Sequence, residues 1–143
     1  MSDVTVLVSH SPADIARCHD VRRAVFVVEQ GVPAALEIDG RDPECTHFLA
    51  YVAGELLGCA RMRVVDGVAK AERVAVHSPR RGLGIGRALM RQMEAVARDQ
   101  GLSRIKLSAQ VPVIPFYERI GYRCFGDEFV EAGIQHRWMD RDL

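Results

Sequence analysis

The sequence predicts an α/β (α+β) fold in which a mixed β-sheet carries helices packed against it. Two patterns support this class. Asp66-Gly67 separates two apolar, β-branched runs and is a strong hairpin signal, so the middle third should be an antiparallel meander. Apolar residues then recur on one helical face from Ile85 to about residue 100. With 143 residues and no internal repeat or linker, we expect a single domain over residues 1–143.

The elements are expected in the order β-α-β-β-β-α-β-α-β-β. The first helix should begin at Pro12 after the N-cap Ser11 and end before Gly31. Residues 37–47 are polar and acidic and are expected to form a loop. Further helices are expected at 85–100, closed by Gly101, and at 112–120. Strands are expected at 4–8, 48–52, 56–65, 68–76, 105–109, 122–125 and 134–139.

The composition excludes several classes of protein. Lys plus Arg and Asp plus Glu both number 19, and this zero net charge argues against a general nucleic-acid binder. No apolar run approaches the roughly 18 residues of a membrane span, and no secretory signal opens the chain. The spacing of the four cysteines suits no zinc site. We therefore expect a cytoplasmic protein without a metal, a membrane or a nucleic acid as partner.

A glycine-rich stretch, RRGLGIGRALM at residues 80–90, joins a strand to a helix and predicts an anion site. The first N–H groups of a helix have no intrahelical partners and attract anions. Glycines let the backbone approach a ligand, and Arg81 and Arg87 add charge that can pair with phosphate. A tight turn with two solvated arginines is the alternative interpretation.

Two well-known phosphate loops fit this stretch poorly. A P-loop needs Lys and then Ser or Thr after its last glycine, whereas Arg87 and Ala88 follow Gly86. A dinucleotide-binding loop needs a third glycine where Arg87 stands, and it belongs to a βαβ repeat. Here a β-meander precedes the loop.

The pattern that fits is Arg81-x-x-Gly84-x-Gly86 directly after the strand ERVAV (72–76). With LSAQ (107–110) and PFYERIGY (115–122), it resembles the GNAT superfamily of acyl-CoA-dependent N-acetyltransferases over essentially the whole chain. VFVVEQGVP (25–33), EIDGRDPECTHFLAY (37–51) and GDEFVEAGIQH (126–136) are similar to the small bacterial YjcF-like subgroup. The resemblance implies a mainly antiparallel sheet with a splay between two central strands.

The resemblance also implies that acetyl-CoA or coenzyme A lies in this splay. Backbone groups of the strand would bind the pantetheine and the thioester, N–H groups of the loop would bind the pyrophosphate, and Arg119 would reach a phosphate. The implied coenzyme-binding residues are Val74, Ala75, Val76, Arg81, Gly82, Leu83, Gly84, Ile85, Gly86, Arg87, Ala88, Phe116, Tyr117 and Arg119. Many family members place an asparagine on the strand after the main helix, and here Ser108 or Gln110 would substitute for it.

The implied reaction is attack of a neutral primary amine, of a small molecule or a peptide, on the thioester. Tyr117 matches the family's tyrosine near the coenzyme sulfur and is the expected general acid. Glu72 shares strand parity with Val74 and Val76 and is the candidate base, directly or through a water. Polar residues that could line the acceptor pocket are Glu29, Gln30, His47, Arg61, Glu128 and His136. Their acidic members favour a cationic acceptor.

Two other functions stay open at this point. A non-catalytic acyl-CoA sensor would bind the coenzyme without turnover. An enzyme similar to acyl-homoserine-lactone synthases would use other acyl carriers, although those proteins are longer. The resemblance is also compatible with a homodimer that pairs through the terminal strands.

Overall fold

The computed structural model describes residues 3–77 and 81–143 and contains a seven-stranded sheet with the order β1-β2-β3-β4-β5-β7-β6. The strands are β1 (Val4–Ser9), β2 (Thr46–Val52), β3 (Glu55–Val65), β4 (Val68–Val76), β5 (Arg104–Gln110), β6 (Arg123–Glu131) and β7 (Ile134–Asp142). The helices are α1 (Pro12–Arg22), α2 (Ala34–Glu37), α3 (Ile85–Asp99) and α4 (Ile114–Arg119). Arg80 of the glycine-rich stretch lies outside the described residues.

Helix α1 begins where the sequence predicts. The Ser11 hydroxyl accepts a hydrogen bond from the Asp14 N–H at 3.1 Å, and Pro12 occupies the first turn, where a missing N–H costs nothing. The helical path continues to Glu29 as a π-helical segment, Arg23–Glu29, which the sequence did not predict. Gln30 N–H donates to the Val25 carbonyl at 3.2 Å at its end. This segment is called the π-segment below.

The sheet is antiparallel except between β4 and β5, and this exception creates an opening. β4 and β5 are parallel and pair only through Ala69 with Ile105 and Lys70 with Lys106. Helix α3 connects the two strands, as a parallel crossover requires. Beyond Lys70 the strands separate toward their carboxyl ends. The mixed sheet with a splay between two central strands is therefore confirmed.

A β-bulge interrupts β4 just after this point. Arg61 pairs with Glu72 and Cys59 with Ala75, so two residues of β4, Arg73 and Val74, face the single residue Ala60 of β3. Arg73 has φ of +53°, a left-handed conformation that is uncommon outside glycine. A bulge adds one residue to the strand and reverses its alternation.

The reversal corrects one prediction. Ala71 before the bulge and Val74 and Val76 after it all pack on the face covered by α3, whereas Ala75 packs on the face covered by α1. Glu72 pairs with Arg61 on the α1 face. The prediction that Glu72 shares a face with Val74 and Val76 was therefore wrong, because it assumed an unbroken strand.

Both faces of the sheet are covered, by different helices. On one face, α3 buries Leu89, Met93 and Ala97 against strand residues such as Phe48 and Met62. The i, i+4 spacing of these α3 residues is the pattern that predicted the helix. On the other face, α1 and the π-segment bury Cys18, Val21 and Val25 against Leu49, Cys59 and Ala75.

Some boundaries differ from the predictions. The strands expected at 122–125 and 134–139 extend to Glu131 and Asp142. The pairing of β6 with β7 shifts register between Phe125 and Phe129, which hides the strand pattern in the sequence. Two short helical stretches, α2 and the 3₁₀ turn Asp42–Glu44, lie at the start of the expected loop and inside it. The helix expected at 112–120 begins with a further 3₁₀ turn, Val111–Val113. Within the described ranges, no helix has the length and apolar character to cross a bilayer.

Gly58 on β3 sets how closely the start of α3 approaches the sheet. A Cβ at this position would lie 2.7 Å from Ile85 Cγ2 and 3.1 Å from the Ala75 carbonyl oxygen. We expect Gly58→Ala to lower the free energy of unfolding by about 1–3 kcal/mol through overpacking, measured by urea denaturation.

A double-mutant cycle with Ile85→Ala controls this prediction. That change alone should cost about 2–5 kcal/mol, as a buried large-to-small substitution does. In the Gly58→Ala background it should cost less, because it also removes the crowded methyl group. Strictly additive effects would contradict the proposed contact.

Candidate active site

A cavity of about 730 Å³ lies where β4 and β5 separate. Its walls include residues from both faces of the sheet. On the α3 side they come from the glycine-rich loop, the start of α3 and α4. On the α1 side they come from the π-segment, α2 and the turn between β6 and β7. A concave site of this size, with apolar walls and a few polar groups, is typical of small-molecule binding.

The glycine-rich loop forms the first part of the wall. Gly82 and Gly84 have φ of +92° and +79°, which favours glycine at both positions. Gly84 is the N-cap of α3, and a Cβ there would meet no atom of residues 3–77 and 81–143 within 4 Å. Residues 84–87 line the cavity, so the first turn of α3, whose N–H groups have no intrahelical partners, lies at the cavity wall. This geometry suits an anion, as the sequence predicted.

Most of the residues predicted to bind a coenzyme lie on this wall. The cavity is lined by Val74, Val76, Arg81, Gly82, Gly84, Ile85, Gly86, Arg87, Phe116, Tyr117 and Arg119. Three of the predicted residues are not among the lining residues. The side chain of Ala75 is buried on the opposite face, Leu83 is half exposed, and Ala88 lies on α3 just beyond the lining residues.

Arg81 is engaged by a carboxylate. Its Nη1 and Nη2 donate to Glu29 Oε1 and Oε2 at 2.5 and 2.7 Å, a bidentate pair between the loop and the end of the π-segment. The hydrogen bonds from Arg81 lower the pKa of Glu29, so the carboxylate is ionised at neutral pH. Glu29 was predicted to bind the acceptor, but it is not among the residues that line the cavity. It instead binds the guanidinium of Arg81, for which an anion at the loop would have to compete.

Tyr117 on α4 is buried and lines the cavity. Its ring meets those of Phe116 and Tyr122 edge-on, with centroids 5.0 and 5.9 Å away. Within residues 3–77 and 81–143, the hydroxyl has no hydrogen-bond partner. Burial raises the pKa of Tyr117, which keeps the phenol protonated at neutral pH. The hydroxyl is thus available to donate a proton into the cavity.

Glu72 also lines the cavity, but its carboxylate is surrounded by cations. It lies 2.7 Å from Lys70 Nζ, 3.0 Å from Arg63 Nε and 3.3 Å from Arg61 Nε. Burial alone would raise the pKa of Glu72, but hydrogen bonds from Lys70 and Arg63 and the nearby positive charges lower it overall. A carboxylate so stabilised is a weak proton acceptor, so this setting disfavours Glu72 as the base.

The other predicted acceptor residues divide between the cavity and the protein interior. Gln30 and His136 line the cavity, and Gln30 Oε1 accepts a hydrogen bond from Gln110 Nε2 at 2.8 Å. His47 is fully buried, and its Nε2 lies 2.7 Å from the Asp42 carbonyl oxygen. Glu128 is exposed on β6.

Arg61 belongs to a buried ion-pair network on the α1 face. Its Nη1 donates to Asp39 and Asp42 at 3.0 Å, and Asp42 also accepts from Arg22 at 2.7 Å. Arg22 in turn pairs with Glu37. The structure therefore does not bring His47, Arg61 or Glu128 to the cavity wall, which corrects the prediction for these three residues.

Several cavity residues were not among the predicted site residues. They are Lys70, Arg73, Glu131 and apolar residues such as Phe26, Leu36 and Ile134. Ser108 and Gln110 also line the cavity. The sequence had indicated these two as substitutes for the family's asparagine. Among the residues that the structure describes, no group of three or more His, Cys, Asp or Glu side chains could hold a metal ion.

Known proteins share this arrangement. Residues 14–122 match the model of the Acetyltransferase (GNAT) family. The chain therefore belongs to the GNAT acetyltransferase family. The uncharacterized N-acetyltransferase YjcF of Bacillus subtilis (strain 168) is 42% identical over 123 residues, which cover 85% of this chain and 88% of YjcF. The prediction of a YjcF-like GNAT protein is confirmed.

Solved structures share the fold across its length. The crystal structure of a protein from Lactobacillus plantarum has a TM-score of 0.91 and 29% identity, with 98% of both chains covered. A GNAT family acetyltransferase from Elizabethkingia anophelis, whose structure has acetyl-CoA bound, has a TM-score of 0.77 and 16% identity, with 98% of both chains covered. At 16% identity, the comparison with the Elizabethkingia anophelis protein shows a shared fold.

Asp42 holds the buried network together, so its charge should control stability. Burial would raise the pKa of Asp42, but hydrogen bonds from Arg22, His19 and Arg61 lower it below the usual range. A depressed pKa contributes stability above the unfolded pKa of about 3.9 and loses it as pH falls. We expect Asp42→Asn to cost about 3–5 kcal/mol at pH 7, because buried arginines lose their partner.

Denaturant unfolding at pH 7 and pH 3 would test this expectation. The difference between wild type and Asp42→Asn should shrink below about pH 4, where the wild type begins to lose the same contribution. Glu44→Gln is a control, since Glu44 pairs with Arg41 on the surface and should matter little. An equal difference at both pH values would contradict the assignment.

Proposed function

We propose that this chain transfers the acetyl group of acetyl-CoA to a primary amine of a small molecule or peptide. One observation carries the proposal. β4 and β5 pair only at Ala69 and Lys70, so the main chain of β4 beyond Lys70 has no ladder partner on β5. An extended chain with amides of its own, such as pantetheine, satisfies such groups in the manner of an added strand.

The rest of the cavity suits the ends of the same molecule. Free N–H groups at the start of α3, with Arg81 and Arg87, suit a pyrophosphate. The bulge places Val74 beside the cavity, where its N–H could stabilise the oxyanion of a tetrahedral intermediate. The acetyl-CoA in the Elizabethkingia anophelis protein supports this donor.

The chemistry needs two proton movements. As the tetrahedral intermediate collapses, Tyr117, protonated and without a protein partner among described residues, gives its proton to the leaving thiolate. The neutral amine attacks the thioester carbonyl, and its nitrogen becomes positively charged as the C–N bond forms. This nitrogen must lose a proton as the C–S bond breaks, and a proton from solvent then restores the phenol of Tyr117. Since three cations lower the pKa of Glu72, we propose that the proton of the nitrogen leaves to solvent through the cavity. The cytoplasmic location and the homodimer stay predictions.

Tyr117→Phe tests the acid. We expect acetyl-CoA affinity, measured by calorimetry, to stay within about twofold, because the ring packing is kept. We expect kcat with an accepted amine, measured by thiol release, to fall about 10²–10⁴-fold. Unchanged turnover would contradict the role of Tyr117. Coenzyme binding without thiol release from any amine, even in the wild type, would favour the acyl-CoA sensor.

Glu29→Gln tests the coenzyme loop. Coenzyme phosphates and Glu29 compete for Arg81, and an exposed ion pair is worth about 0.2–1 kcal/mol. We expect Glu29→Gln to bind coenzyme A up to about fivefold more tightly in calorimetry. Arg81→Gln should bind it more weakly, and adding Glu29→Gln to that variant should have little further effect. Weaker binding by Glu29→Gln would contradict the competition.

A further inference from the structure

Arg73 holds an unusual position in the cavity. It lies at the bulge of β4, next to Val74, with its backbone in the left-handed region. Its side chain is 24% exposed and lines the cavity on the side of α2. Bulges beside active sites commonly re-aim a side chain, and here the bulge turns an arginine toward the cavity.

The partners of Arg73 are mainly neutral. Nε and Nη2 donate to the Glu37 carbonyl oxygen at 3.3 and 3.1 Å, and Nη2 reaches the Leu36 carbonyl oxygen at 3.4 Å. The carboxylates are more distant, at 3.6 Å for Asp39 and 4.0 Å for Glu37. In the described part of the chain, Nη1 has no hydrogen-bond partner. Backbone carbonyls thus hold the guanidinium in place, and its two carboxylate partners lie beyond hydrogen-bond distance.

The surrounding network also carries an excess of positive charge. With histidines counted as neutral, its ion pairs connect the five cations Arg22, Arg61, Arg63, Lys70 and Arg73 with the four carboxylates Glu37, Asp39, Asp42 and Glu72. One positive charge is therefore in excess within the described residues. Burial, and then the charge of Arg61, lowers the pKa of Arg73, and the carboxylates of Asp39 and Glu37 offset this only in part.

Of these five cations, only Arg73 and Lys70 line the cavity, and Lys70 lies 2.7 Å from Glu72. The acidic Glu131 also lines the cavity, but it is exposed to solvent at the end of β6, where Ser108 donates to it at 3.4 Å. On the α1 side of the cavity, the described cation whose carboxylate partners are most distant is therefore Arg73. A bound anion would compensate its charge and complete the hydrogen bonding of Nη1.

We infer that the acceptor amine carries a carboxylate and that Arg73 binds this group. The inference rests on the proposed function for the identity of the site and extends it to a substrate class, the amino carboxylic acids. The amine of a small acceptor held at Arg73 would lie close to the neighbouring Val74, where the thioester is placed. Phe26, Leu36 and Ile134 line the same half of the cavity and suit an apolar body. This replaces the expectation of a cationic acceptor.

A binding experiment tests the inference without turnover. The wild-type protein saturated with coenzyme A is titrated with N-acetyl-leucine and with N-acetyl-leucinamide, which differ only in the carboxylate. We expect the acid to bind at least tenfold more tightly, and the preference to fall toward one in Arg73→Gln. Arg41→Gln removes a guanidinium outside the cavity and should keep the preference. Thermal unfolding checks that each variant folds.

A turnover experiment separates the inference from the proposed function. We expect kcat/KM for leucine to exceed that for leucinamide at least tenfold in the wild type. Equal binding of the acetylated acid and amide, or binding of neither, overturns the inference even if amines are acetylated. Preferred binding of the acid without turnover of any amine supports the carboxylate site and overturns the acetyltransferase proposal.

Discussion

The separation of β4 from β5 after a single short stretch of pairing is the constraint on which the site depends. Buried backbone groups are almost always hydrogen-bonded, so an unpaired strand edge inside a sheet needs a partner. The described residues of β5 do not supply one beyond Lys70. The crossover helix α3 begins at the open end of this gap, with Gly84 as its N-cap. An unpaired strand edge and a free helix N-terminus therefore lie along one cavity, and one elongated anionic ligand can use both.

The bulge at Arg73 is held in place by the ion-pair network beneath it. Removing charged side chains from water is costly, and buried ion pairs are often no more stable than apolar packing. Their value here is positional. Arg22 fixes Glu37, and the carbonyl oxygens of Glu37 and Leu36 then fix the guanidinium of Arg73. A preorganised cation loses little freedom when a ligand arrives, so more of the interaction contributes to affinity.

The sequence predicted the local elements well, but it predicted the orientation and burial of several polar side chains wrongly. Helix α3 is predicted by the spacing of its own apolar residues, and the loop before it by the glycines at 82 and 84. Both patterns are local, and both features lie where expected. The face of Glu72 depends on the bulge at Arg73, a non-glycine residue whose left-handed backbone leaves no mark in the sequence. His47 and Arg61 have the polarity of site residues, but tertiary partners bury them. Their burial depends on partners that are distant in the sequence, which a local sequence pattern does not reveal.

Two arginines that line the cavity, Arg81 and Arg73, differ in exposure and in the partners that hold them. Arg81 is 44% exposed and pairs with the solvent-accessible Glu29, so it can exchange one anion for another at small cost. Arg73 is more buried and is held by backbone carbonyl oxygens, so it has less freedom to follow a ligand than Arg81 has. A coenzyme offers several phosphate oxygens and tolerates an adjustable partner. In the proposed reaction, an acceptor has to place one amine against one thioester, which requires a fixed reference point. Selectivity for the acceptor is therefore expected to depend on the α1 side of the cavity, where backbone carbonyl oxygens hold the guanidinium of Arg73.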